Sequence, residues 1–380
     1  MKIGVDATGV FGPKTGIEHY IVHITKHLLE IDHRNEYTVY CRNEIPSELE
    51  PRAKNVLFKV LEFRNRKIFQ QTHLPIMNTC DKIDLMFFPG NSFSLFCPCK
   101  FILTIHDIFP YVIADYLPKY NSDAHIDRVN TYYWKGMSRW GCSKSNKVIA
   151  VSESTKNDIV RVFSADPDKI SVVHEAVTGS FHPVRNENRL NEFKKKYALP
   201  EKYVLCVGTG THKNVQGSIK AFQKLKKQKR STLKLIITGS KSNIRNEVLD
   251  LIQTTKIQDQ VMLWGYFPAK DLNLLFNTAE LLLFPSFYEG FGLPVLEAFA
   301  CGLPVIASKV ASLPEISGDA AVLLDPHNDE EILFHLERVL YDQGLRASMI
   351  SKGFLQAERF TWGNSAQKTL AVINEIGASS

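Results

Sequence analysis

Short apolar runs recur along the chain, each ended by a Gly, Pro, His or polar residue and most followed by a stretch with helical spacing. In the first half, Lys2–Asp6, Tyr37–Tyr40, Leu57–Leu61, Leu85–Phe88, Phe101–Ile105, Val148–Val151 and Ile170–Val173 read as strands. In the second half, Tyr203–Val207, Lys234–Gly239, Val261–Tyr266, Leu281–Phe284 and Val305–Ala307 do so. Several are apolar almost throughout rather than alternating, as expected of parallel strands covered on both faces. Ile17–Ile31 and Leu190–Tyr197 show the helical period, and VSESTKNDIV reads as a strand feeding a helix capped by Ser152 or Ser154. Another helix starts near Leu293 with Pro294 in its first turn, and Gly302 ends it. Strand and helix alternate over the whole length, which predicts an α/β protein of two doubly wound, Rossmann-like domains. Phe181-His182-Pro183 marks the crossing between them. The expected division is 1–182, 183–360, and a tail 361–380.

Composition narrows the classes. A chain of 380 residues with 44% apolar content is long enough for two cores. A net charge of +6 is mild and spread over both halves, so nucleic acid is not the expected partner. No run approaches the ~18 apolar residues of a membrane span, and MKIGVDATGV reads as a first strand, not a signal peptide. Seven scattered cysteines form no disulfide framework, which fits a reducing cytoplasm.

Candidate chemistry concentrates in LLLFPSFYEGFGLPVLEAFACGLPVIAS, residues 281–308. There a strand, a glycine loop and a helix N-terminus meet, and unpaired helix amides at such a place favour phosphate. Glu289 precedes the helix and Glu297 lies inside it, leaning back toward the loop mouth. One carboxylate can take a ribose diol and the other the group beyond the phosphates; the plain alternative is two solvated glutamates. Two tempting strings fail. GPKTG has Pro13 where a phosphate-binding P-loop needs Gly before its Lys, and after Gly208-x-Gly210 the third glycine of a dinucleotide fingerprint is replaced by Lys213. His106 ends a strand but has no partner at metal-ligand spacing. Two basic stretches remain open between solvated surface and contact. Arg64, Arg66 and Lys67 suit an acidic acceptor or lipid head groups, and the mixed aromatic and basic residues 132–147 suit an anionic membrane. Lys224–Lys234 reads as a solvated helix end.

PSFYEGFGLPVLEAFACGLPVIAS, with SLPEISGDAAVLLDP behind it, resembles the retaining, nucleotide-sugar-dependent glycosyltransferases of family 4, whose hallmark is two glutamates with seven residues between them. The resemblance implies the GT-B fold, with two domains facing a central cleft and a last helix returning to the first domain. It implies roles for further positions. TGIEHY resembles the family's first glycine loop, Gly16 standing for its first glycine and Glu18 replacing its second. The His-Asp at His106 matches a motif in which His approaches the donor sugar. GTGTHKN, with Thr209, resembles a phosphate loop in which Lys213 meets the diphosphate; His212 stands where many relatives carry Arg, a weaker and pH-dependent contact. Gly265 and Tyr266 fall beside the nucleobase. The amides around Gly290, Phe291, Gly292 and Leu293 with Lys213 and His212 then stabilise the leaving diphosphate without a divalent metal, so no metal or cofactor is expected. Glu289 orients the sugar, Glu297 the ribose, and His106, Glu289 and Lys213 are the expected catalytic set. Bacterial polysaccharide and O-antigen mannosyltransferases are the nearest likeness. GDP-mannose is therefore the first choice of donor and a glycan or lipid-linked glycan the acceptor, on the cytoplasmic side of the membrane or peripherally on it. A UDP-glucose-type or deoxysugar donor, and a sugar-nucleotide-binding protein without turnover, stay open; the missing third glycine disfavours an NAD-dependent oxidoreductase.

Overall fold

The computed structural model describes all residues except 13–15, 50–53, 117–127, 229–231, 240–245 and 379–380, and gives the backbone alone for 128–134. Pro13, Lys14 and Thr15 of the rejected GPKTG string, Lys229 and Arg230 of the basic helix end, and the side chains of Tyr132, Tyr133 and Trp134 lie outside the described set. The chain divides into two compact units, Met1–Ala176 with Thr361–Ser380, and Val177–Phe360.

The first unit contains β1 (Lys2–Asp6), α1 (Gly16–Ile31), β2 (Glu36–Arg42), β3 (Val56–Leu61), α2 (Arg66–Cys80), β4 (Leu85–Phe88), β5 (Lys100–Ile105), α3 (Phe109–Tyr116), α4 (Arg128–Lys144), β6 (Lys147–Ala150), α5 (Glu153–Phe163) and β7 (Ile170–Val172). Its sheet is parallel, ordered β3-β2-β1-β4-β5-β6-β7. Helix α2 went unseen in the apolar pattern because Pro75 interrupts it. Asn65 starts it by accepting the amides of Lys67 and Ile68.

The second unit contains α6 (Glu187–Lys196), β8 (Tyr203–Val207), α7 (Val215–Gln228), β9 (Lys234–Thr238), α8 (Asn246–Thr254), β10 (Val261–Trp264), α9 (Ala269–Asn277), β11 (Leu281–Phe284), α10 (Leu293–Ala300), β12 (Val305–Ser308), α11 (Leu313–Ser317), β13 (Val322–Leu324), α12 (Asp329–Tyr341) and α13 (Gln343–Glu358). Its parallel sheet runs β10-β9-β8-β11-β12-β13. Ile219, Phe222, Leu235, Leu283 and Ile306 fill the core beside it. Lys224 of the expected solvated helix end pairs with Glu330 on α12.

The last helix, α14 (Trp362–Ala378), belongs to the first unit. Trp362 stacks on His23 of α1 at 5.3 Å, and Ser365 donates to the His174 carbonyl. In both sheets the order reverses beside the first strand, between β1 and β4 and between β8 and β11. Loops leaving the carboxyl ends of strands diverge at such a reversal and open a crevice where α/β proteins hold ligands.

Candidate active site

In the second unit that reversal gathers the loops after β8 and β11. Phe287 donates its amide to the His212 carbonyl at 2.7 Å, tying one loop to the other. Across this link Lys213 Nζ donates to both oxygens of Glu289, at 2.7 and 2.9 Å, with side chains only 17% and 11% exposed. The ammonium also lies 4.8 Å from the centre of the Phe284 ring. Lys213 reaches this place only because residue 208 is glycine: a Cβ there would stand 2.8 Å from Lys213 Cε, and φ is +95°. Gly292 precedes α10 at φ +112°, where a Cβ would meet Leu313 at 2.8 Å. Ser312 holds the loop from the other side by donating to the carbonyls of Glu289 and Phe291. Ser312 was not legible beforehand, since a serine at the start of α11 reads as a cap and here it makes no cap bond.

Glu297 is half-buried on α10, with no hydrogen-bond or ion-pair partner among the described residues. Burial raises its carboxyl to about 7. His212 behaves in the opposite sense. Burial first, and the Lys213 charge second, lower it to about 4 despite Glu289. The ring is therefore uncharged at neutral pH. Thr209 is buried beside Gly239, whose amide points to the Gly265 carbonyl at 3.4 Å, and Tyr266 next to it is 71% exposed. The structure thus joins Lys213, His212 and Glu289 with Gly290, Phe291, Gly292 and Leu293 at one reversal, Glu297 one helix turn further on. Thr209, Gly265 and Tyr266 continue the same sheet edge.

Gly16 and His106 belong to the first unit. Gly16 is the first residue of α1 and exposed, and Glu18 lies in its first turn. His106 is buried, with Nδ1 2.8 Å from Glu175 Oε1 and Nε2 2.9 Å from the Pro89 carbonyl. Burial would lower its pKa, but the Glu175 carboxylate and the Pro89 carbonyl outweigh that and raise it. Both nitrogens face acceptors, and the Glu175 carboxylate and the Pro89 carbonyl favour the charged ring. Glu175, two residues beyond a short strand, gave no sequence signal. Arg66 also departs from a solvated loop. Its guanidinium lies over Gly9, with Nε 3.3 Å from Thr8 Oγ1 and a terminal nitrogen 3.6 Å from buried Asp6. Among the described residues no group of three or more His, Cys, Asp or Glu side chains is arranged to hold a metal.

Residues 149–356 match the family described as Glycosyl transferases group 1, and residues 14–178 match Glycosyltransferase Family 4. The chain belongs to the group 1 glycosyl transferases. This glycosyltransferase is 31% identical over 270 residues to the O-antigen chain mannosyltransferase B of Escherichia coli, covering 71% of this chain and 68% of that one. It is 24% identical over 287 residues to the serotype-specific mannosyltransferase WbdA of the same organism, covering 74% of this chain but 34% of WbdA. The chain thus spans about a third of the length of that relative. Among solved structures, Anabaena Alr3699/HepE in complex with UDP and glucose superposes with a TM-score of 0.74 at 16% identity, over 99% of this chain and 100% of that one. The two Rossmann-like halves are those of GT-B glycosyltransferases.

Proposed function

We propose that this glycosyltransferase moves a hexose, mannose from GDP-mannose as first choice, to a glycan or lipid-linked glycan of an O-antigen-type polysaccharide, with retention at the anomeric carbon. The names of its curated relatives support the sugar and the product class. The observation that carries the chemistry is the joining of Lys213, Glu289 and the start of α10 at one reversal of the sheet. When the sugar–phosphate bond breaks, negative charge grows on the diphosphate. Lys213 and the N-terminus of α10 meet that charge where water is partly excluded, which supplies the stabilisation without a metal. Lys213 must exchange Glu289 for phosphate as the donor enters, which frees Glu289 to accept the sugar hydroxyls. Glu297 takes the ribose diol. Among the described residues no side chain at the reversal is arranged as a covalent nucleophile, and attack by the acceptor on the face the diphosphate leaves would account for retention. His106 contributes to the sugar only by giving up Pro89; as it stands it fixes the β4 and β5 loops. Among the described residues no helix is long and apolar enough to cross a membrane, and we place the reaction on the cytoplasmic side.

A thermal-shift screen across nucleotide sugars, followed by NMR of the product's anomeric configuration, tests this reading. GDP-mannose should give the largest shift and an α-mannoside. A shift with UDP-glucose alone would move the donor to the second reading, which the UDP-bound Anabaena structure favours. An inverted product would overturn retention.

A further inference from the structure

In the first unit, Cys97 and Cys99 stand close enough to react with each other. They flank Pro98 at the end of the loop from β4 to β5, with their sulfurs 3.7 Å apart. The preceding part of that loop is pinned. Gln71 of α2 donates to the Phe93 carbonyl and accepts from the Leu95 amide, both at 2.8 Å. The Cys97 amide then closes a turn onto the Ser94 carbonyl at 3.3 Å. Pro98 fixes one of the torsions between the two cysteines, so they lose little freedom in meeting. Both are partly exposed, whereas Cys41, Cys142, Cys206 and Cys301 are buried.

The two thiols are not equivalent. The hydrogen bond from the Cys99 thiol holds Cys97 below the usual thiol range against its burial. The same bond, and then burial, push Cys99 up. Burial alone dominates elsewhere, pushing Cys41, Cys142 and Cys206 up to about 12, 11 and 12. A buried amide adds to the difference. Asn78 of α2 is 1% exposed, and neither end of its amide has a hydrogen-bond partner among the described residues. It lies beside Cys97 and favours the thiolate there, so a charged sulfur is the acceptor that this buried N–H lacks. A thiol that ionises readily, with a second thiol held against it, suits an attacking sulfur and its resolving neighbour.

We propose that Cys97 and Cys99 form a reversible redox modification site, Cys97 attacking and Cys99 resolving, whose co-reactant is a small-molecule disulfide of the oxidised-glutathione class. The Cys97 thiolate attacks one sulfur of that disulfide and forms a mixed disulfide. The thiolate it expels takes up the proton that Cys97 has lost. Cys99 then gives up its proton and attacks Cys97 Sγ, closing the Cys97–Cys99 bond, and the second small thiolate leaves and takes that proton. Two protein thiols are oxidised and one small disulfide is reduced to two thiols; excess reduced thiol reverses both steps. A ring this small gains little from restricting the unfolded chain, which suits a bond made and broken rather than a structural one. It falls in the loop whose first residues, Pro89 and Asn91, lie against His106 at 2.9 and 2.7 Å.

The test equilibrates the full chain with reduced and oxidised glutathione at graded ratios, quenches with N-ethylmaleimide and maps the peptides by mass spectrometry. The peptide holding residues 97–99 should lose two hydrogens as the ratio turns oxidising and regain them on reduction, while the other cysteines are recovered alkylated. Cys99→Ser should instead carry glutathione on Cys97, and Cys97→Ser should carry none on Cys99. Rates separate a poised thiol from a merely accessible one. Iodoacetamide should modify Cys97 about tenfold faster at pH 7 than Cys80, although Cys80 is the more exposed. Asn78→Leu removes the buried amide together with its polar demand, so it should keep the melting temperature and slow Cys97 alkylation about threefold. The proposal is overturned if residues 97–99 keep both hydrogens at every ratio, if the mixed disulfide accumulates in the parent without closing, or if Cys80 reacts first.

Discussion

The two halves share one strand order, the first with an extra strand at its edge, and treat charge at the reversal in opposite ways. In the first unit, Asp6 is buried and fully used: Thr8 donates to one oxygen, Gln70 to the other, and Arg66 lies beyond. His106 is held at both nitrogens. In the second, Lys213 and Glu289 satisfy each other at a partly open mouth, and Glu297 has no hydrogen-bond or ion-pair partner among the described residues. Topology therefore supplies a place, and the residual demand of its polar groups decides whether the place reacts. Groups already satisfied hold loops still; groups paired provisionally, or unpaired, are available to a ligand.

Substitutions can break this contrast. The largest effect is expected from Lys213→Ala, which removes the charge facing the diphosphate: turnover should fall on the order of 10²–10³-fold, read as initial transfer rate. Activity within threefold of the parent would mean that the helix amides suffice. Glu289→Gln comes next, with turnover down about 100-fold while calorimetric affinity for the nucleoside diphosphate stays equal or tightens, because Lys213 loses its internal competitor. Weaker diphosphate binding in this variant would reverse the roles of the two glutamates. Glu297→Gln should weaken nucleoside diphosphate binding about tenfold through the lost ribose contact. The same variant has a pH signature. With a folded value near 7 against 4.5 unfolded, the folded state keeps its proton longer, so stability falls as pH climbs from about 4.5 through 7. Glu297→Gln should match the parent near pH 4 and exceed it above pH 7, by up to about 2 kcal/mol for a half-buried group.

The first unit should answer through stability. A raised His106 means that its contribution is complete below about 6.5 and is lost as pH rises through the folded value. Glu175→Gln should flatten that decline by on the order of 3 °C in Tm between pH 6 and pH 9. An unchanged slope would remove the Glu175–His106 pair as its cause. The smallest effect is a zero: the Tm rise given by a nucleoside diphosphate should survive EDTA, and dependence on added Mg²⁺ or Mn²⁺ would restore a metal to the mechanism.

Much of this was legible in the chain because parallel strands buried on both faces announce themselves as unbroken apolar runs, and β4 and β11 match their runs to the residue. The Glu289–Glu297 loop was legible because glycine at 290 and 292 and proline at 294 punctuate it. Two kinds of feature were not. Pairings between distant segments, such as His106 with Glu175 or Arg66 over Gly9, leave no local pattern, since each partner is an ordinary polar residue where it stands. Protonation was the other: His212 and His106 look alike in the sequence, and only their neighbours push one ring toward neutrality and the other toward charge.

The Lys213–Glu289 pair sets a condition on entry. A bare diphosphate arriving at Lys213 gains one partner and strands a carboxylate that is only 11% exposed, so part of its attraction is cancelled on arrival. An intact sugar nucleotide brings hydroxyls for the carboxylate together with phosphate for the ammonium. On the proposed reading the mouth would work as a two-key lock, which opens fully to an unspent donor and grips the spent one less firmly once its sugar has gone.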